Sequence, residues 1–179
     1  MSAAKSIQTI DIQIAQDFEE IKFSLPKLKK LIRNVCRRFP PKRIENVSGS
    51  KTHYLISIAI VNDTQFRRIN SRFLNRKSTS DCLSFDLSDE HNIETPFIYE
   101  LIINGEMAIS QANKREHSDE AEMALYITHG LLHNLGFDDA TPELAKKMHD
   151  IEDEILEQNG YGMVYNKEKR NNKQDNKAV

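Results

Sequence analysis

The chain has 179 residues, of which 39% are hydrophobic and 29% charged, with a formal net charge of −2. At this length a single core of ~100–200 residues is the expectation, and it can be held together without disulfides or metal. No apolar run approaches the ~18–20 residues of a membrane span, the first residues lead into no apolar signal core, and Cys36 and Cys82 lie in apolar segments, so free buried thiols in a reducing cytoplasm are expected.

The small net charge conceals an asymmetry. Residues 1–80 hold 16 Lys/Arg against 6 Asp/Glu, residues 81–160 hold 4 against 19, and residues 161–179 hold 5 against 2. A basic face for a polyanion and an acidic region around a cation would produce this pattern; so would two halves that neutralise each other across the fold.

Ser6 to Ile14 alternates, with Ile10, Ile12 and Ile14 on one side, and reads as a first strand. Leu25-Pro26 opens a helix, because proline is tolerated in the first turn. Leu28, Leu31, Ile32, Val35 and Phe39 share its inner face, and Pro40-Pro41 ends it. No acidic residue occurs between Ile21 and Ile44, so its outer face, continued by Lys42 and Arg43, is either a nucleic-acid surface or simply solvated. Residues 45–52 read as a loop and Tyr54 to Val61 as a central strand. Asn62 and Gln65 frame a capping box for a helix over about residues 63–73, which puts Phe66, Ile69, Asn70 and Phe73 on one side. Arg67, Arg68, Arg72, Arg76 and Lys77 make this second segment basic too.

Asp81 to Leu87 reads as a short strand and residues 88–96 as a loop. Phe97–Ile103 and Glu106–Ser110 read as strands of a hairpin turning at Asn104-Gly105, followed by a short helix over Gln111–His117. A mostly apolar helix runs from about Asp119 to Leu135, capped by Ser118 and stopped by Gly136. Thr141-Pro142-Glu143 starts a last helix reaching about Gln158, with Leu144, Ala145, Met148, Ile151, Ile155 and Leu156 inward. The folded domain is expected over 1–162, with 163–179 as a disordered basic tail.

Chemistry concentrates at the end of the apolar helix. His129 and His133 are four apart, so both imidazoles lie on one face about one turn apart, a spacing suited to two ligands of one metal. Gly136 stops the helix and the following turn can return a carboxylate, which gives His-x3-His-x5-Asp with Asp139; Asp138 is the alternative. Two imidazoles and a carboxylate suit a divalent transition ion, with a position left for water. The same residues read blandly as two core histidines and a helix cap. The zinc-peptidase motif has Glu directly after the first His; here that position is Gly130, which leaves a peptidase without its base.

The segment His129-Gly130-Leu131-Leu132-His133-Asn134-Leu135-Gly136-Phe137-Asp138-Asp139 resembles the His-Gly-x-Leu-His-Leu-x-Gly-Tyr-Asp-His signature of the YbeY family of bacterial rRNA-maturation endoribonucleases. Ile69-Asn70 through Asp81-Cys82-Leu83-Ser84-Phe85 is similar to the family's Leu-Asn … Thr-Asp-Val-Leu-Ser-Phe block, and Gly105–Ser110 to its Gly-Asp-Ile-x-Ile-Ser strand. The resemblance spans about residues 8–160. It implies an α+β single domain with a small mixed four-stranded sheet, about five helices, and a metal site at the end of a buried central helix.

It further implies a metal-dependent endoribonuclease specific for single-stranded RNA, acting in 16S rRNA 3′-end maturation and ribosome quality control in the cytoplasm. The expected metal ligands are His129, His133 and Asp139 around one divalent ion, zinc by preference, with no organic cofactor. The expected partners are single-stranded or ribosomal RNA and the small ribosomal subunit or its proteins, with no membrane. Two departures stand out. Asp139 replaces the family's third His, which adds negative charge and widens the metal choice toward Mn²⁺ or Fe²⁺. Leu74 occupies the family's Arg position, so Arg76 becomes the candidate catalytic cation, with Arg72 and Lys77 as substrate-binding candidates. These departures keep a second reading open, a non-catalytic ribosome-assembly factor with a structural metal.

Overall fold

The computed structural model describes residues 8–41, 52–89, 91–92 and 94–165; Lys42, Arg43, nearly all of the expected loop at 45–52 and the chain from Asn166 onward lie outside them. The elements, in chain order, are β1 Gln8–Gln16, α1 Leu25–Arg38, β2 Thr52–Val61, α2 Asp63–Leu74, β3 Cys82–Asp86, β4 Phe97–Asn104, α3 Gly105–Arg115, α4 Asp119–Asn134 and α5 Pro142–Gln158. Among the described residues, the strands form one mixed sheet in the order β1-β2-β4-β3. β1 and β4 flank β2 in parallel, and β3 runs antiparallel along β4 at the edge.

Strand alternation assigns the two faces of the sheet. Ile10 aligns with Tyr54 and Tyr54 with Phe97, so Ile10 and Ile12, Tyr54 to Ile60, and Phe97 to Ile103 in steps of two line one face. That face packs into the main core with the inner sides of α1, α4 and α5. Each fully buried Ile or Leu there contributes roughly 1.5–3 kcal/mol, which makes this layer the main source of stability. On the opposite face, among the described residues, Phe66 and Ile69 of α2 pack on Val61, Leu83, Phe85 and Ile102. α4 is buried on nearly all sides, with every residue from Ala121 to Thr128 inaccessible, as expected of a helix apolar around its circumference.

The caps at Asn62, Ser118 and Thr141 form as their residue types dictate, including both halves of the Asn62–Gln65 box. Two expectations fail. Glu106–Ser110 is no strand: α3 begins at Gly105 and continues unbroken to Arg115. Met107 and Ile109 imitate strand alternation, but the buried pair is Ala108 and Ala112, at helical spacing. The Asn104 side chain caps this helix by accepting from Met107 N at 3.0 Å. Gly105 serves close packing and not a hairpin turn, since a Cβ there would sit 2.8 Å from Phe18 Cδ1. Leu144 does not point inward; it is 39% exposed, and the inner stripe of α5 instead includes the buried carboxylates Glu152 and Asp153. Asp153 Oδ1 accepts from Val164 N and Tyr165 N at 2.7 and 2.9 Å, so the packed chain continues to Tyr165.

Candidate metal centre

α4 ends in a Schellman turn. Gly136, with φ of 90°, donates to His133 O at 2.9 Å, and Phe137 N donates to Leu132 O at 3.0 Å. This reversal lays the Phe137 carbonyl 3.2 Å from His133 Nδ1. Asp138 Oδ1 then accepts from Asp139 N and Ala140 N at 2.8 and 3.2 Å, which fixes the loop and presents the Asp139 side chain to the helix end. Of the two candidate carboxylates, Asp139 joins the histidines and Asp138 holds the loop. His129 Nε2 and His133 Nε2 lie 3.1 Å apart, and each stands 3.8 Å from a different oxygen of Asp139. These three residues form a group whose donor atoms lie within 4.8 Å of one another.

The outer nitrogens explain why the inner ones converge. His129 Nδ1 donates to Glu152 Oε1 at 2.8 Å, and the other oxygen of Glu152 accepts from His149 Nδ1 at 3.0 Å. Glu152 is wholly buried, and the two imidazole donors compensate its charge. With both Nδ1 positions facing acceptors, the two Nε2 lone pairs point into one space and repel each other unless a cation lies between them. Tetrahedral coordination by nitrogen and oxygen at ~2.0–2.1 Å places donors about 3.3 Å apart, close to the arrangement present. The donor set therefore fits a divalent ion. Burial pulls the His129 pKa down, but the hydrogen bond and charge of Glu152, aided by Asp81 and Asp139, leave it raised. The surrounding field is negative.

Gly130, between the two histidines, faces the sheet. A Cβ there would lie 2.8 Å from Leu101 Cδ2 and 3.4 Å from Cys82 Sγ. The bare backbone lets α4 approach β3 and β4 closely. A glutamate base of the peptidase kind has no room at this position, and it would point away from the triad.

Arg72, Arg76 and Lys77 are exposed on the last turn of α2 and the loop after it. None makes a side-chain hydrogen bond or ion pair among the described residues; Arg72 lies 6.0 Å over the Phe73 ring. Among the described residues no hydrogen bond or ion pair joins them to the triad, and Leu74 is 43% exposed beside them. His117, for which the sequence gives no role, binds buried Glu122 at 2.5 Å, where Arg115 also binds at 3.0 Å. Sequence reasoning missed Glu152. The available signal was a carboxylate four residues after Met148 and three before Ile155, on the apolar stripe of an amphipathic helix.

The family model described as Endoribonuclease YbeY matches residues 12–160. Endoribonuclease YbeY of Malacoplasma penetrans is 28% identical over 155 residues, covering 86% of this chain and 97% of that protein. That of Oenococcus oeni is 34% identical over 119 residues, covering 64% of this chain and 76% of its own. The solution structure of TM1509 from Thermotoga maritima shares the fold, with a TM-score of 0.52 at 20% identity over 82% of this chain and 90% of that one. A match along nearly the whole packed body, together with the histidine pair at the end of a buried helix, places this chain in the YbeY endoribonuclease family.

Proposed function

We propose that this protein is a cytoplasmic, metal-dependent endoribonuclease that cuts single-stranded ribosomal RNA, in 16S 3′-end maturation and ribosome quality control. The convergence of His129, His133 and Asp139 in a chain of this family supports the reading most strongly. A divalent ion held by these three, zinc by donor type, would supply Lewis-acid polarisation of a phosphoryl oxygen and a bound water acidified toward a pKa of ~7. Glu152 and the Phe137 carbonyl hold the imidazole planes and tautomers, so little reorganisation accompanies binding. Asp139, 38% exposed, leaves one side of the site open to a strand. Arg76 offsets charge developing on the phosphorane-like state, and Arg72 and Lys77 follow the RNA backbone.

The lack of contact between these cations and the triad, with Leu74 where the family has Arg, favours the second reading, an assembly factor that binds RNA or small-subunit protein around a structural ion. One experiment separates them. Metal-analysed protein and an identically purified His133→Ala variant are incubated with single-stranded rRNA and with casein. RNA cleavage by the intact protein that disappears in the variant establishes the nuclease. RNA binding without cleavage establishes the assembly factor, and casein hydrolysis would return the peptidase that Gly130 argues against.

A further inference from the structure

We infer that Phe73, at the tip of α2, is a base-stacking platform for the single strand that the proposed nuclease binds; the inference rests on that reading. Phe73 is 64% exposed, the most exposed large apolar side chain among the described residues, and its chain neighbour Leu74 is 43% exposed. Phe73 lies on the side of α2 that carries buried Phe66 and Asn70, so it is not a stray outward residue; its ring meets Phe85 of the edge strand β3. One flank is occupied by Phe85, whose ring centroid is 6.1 Å away, and Arg72 stands 6.0 Å over the ring. The rest is open to solvent.

Charge selects the occupant. Residues 71 to 78 are all exposed and include Arg72, Arg76 and Lys77 with no acidic residue. An exposed ring framed by cations that have no carboxylate partner among the described residues suits a nucleic acid strand, with a base on the ring and phosphates on the cations. An apolar protein partner would gain nothing from those charges.

Position links the platform to the triad. Phe85 is near one end of β3, and Cys82 at the other end faces Gly130, next to His129. Three residues of strand span about 10 Å. β3 is the sheet edge, with Leu83 and Phe85 on the α2 side and Cys82 toward α4. A strand crossing that edge brings a stacked base within a few nucleotides of a phosphate at the metal centre.

The chain contains no Trp, so Phe73→Trp installs a sole indole reporter at an exposed position. Titrating full-length Phe73→Trp with a single-stranded oligoribonucleotide should quench the indole, while an abasic oligomer of equal length should not. Phe73→Ala and Phe73→Leu should each lose roughly five-fold or more in affinity, and Phe73→Tyr should retain it. Unquenched indole, or a Leu variant binding like the parent, overturns the platform while RNA binding stands. The platform also fails if the Phe73 variants lose only capture of a ribosomal protein. If the parent binds no single-stranded RNA at all, the proposed function falls and the platform with it.

Discussion

The two ends of β3 are built on opposite principles. At the α4 end the side chains that matter are backed by a second partner: Glu152 behind His129, the Phe137 carbonyl behind His133, and an Asx turn behind Asp139. At the α2 end Arg72, Arg76 and Lys77 are exposed, with no carboxylate partner among the described residues. The first arrangement fixes geometry to fractions of an ångström, as a metal requires. The second leaves long cations exposed, as the proposed contact with a variable polyanion requires. The charge asymmetry along the chain is partly neutralised across the fold, where Lys27 pairs with Glu120 at 3.1 Å and Arg38 with Glu154 at 2.6 Å; the proposed ion site and RNA surface draw on what is left in each half.

The largest effect should come from His133→Ala. Losing one of three donors should lower bound zinc, measured by elemental analysis, by more than the roughly 10–100-fold that follows loss of a supporting residue. Glu152→Gln should fall in that 10–100-fold range with His129 still present, because an amide orients the imidazole more weakly and adds no charge. Equal metal content in parent and Glu152→Gln would mean that the backing at this end is structural only. Gly130→Ala should cost about 1–3 kcal/mol in thermal unfolding, because the new methyl overlaps Leu101.

At the other end effects should be smaller and salt-dependent. Arg76→Gln combined with Lys77→Gln should weaken RNA binding with little sequence dependence and reduce the log–log salt slope by about 1.4, near 0.7 for each phosphate contact on single strands. An unchanged slope would remove these residues from the RNA path. The smallest effect should appear at acid pH. Burial tends to raise the Asp63 carboxyl, but hydrogen bonds from Thr79, Arg67 and Asn104 outweigh it and leave its pKa lowered. The stabilisation is therefore complete above the unfolded value near 4 and is lost as pH falls through the lower folded value. The stability advantage of the parent over Asp63→Asn in urea unfolding should shrink steadily below about pH 4.

The sequence by itself determined what depends on local spacing. Four-residue repetition put His129 and His133 on one face, Gly136 stopped the helix, and Asn62, Ser118 and Thr141 capped theirs, because each acts through neighbours within one turn of chain. Only the tertiary structure decided what depends on distant segments. Glu106–Ser110 alternates like a strand, yet its burial against α4 makes it helix. Glu152 gains its role only when α5 folds back over α4 and sets its carboxylate behind an imidazole 23 residues earlier. The exposure of Phe73 and its ring contact with Phe85 likewise depend on how α2 meets the sheet edge. Local rules fix where a side chain leaves its own helix; which groups it meets depends on packing between elements, and no periodicity encodes that.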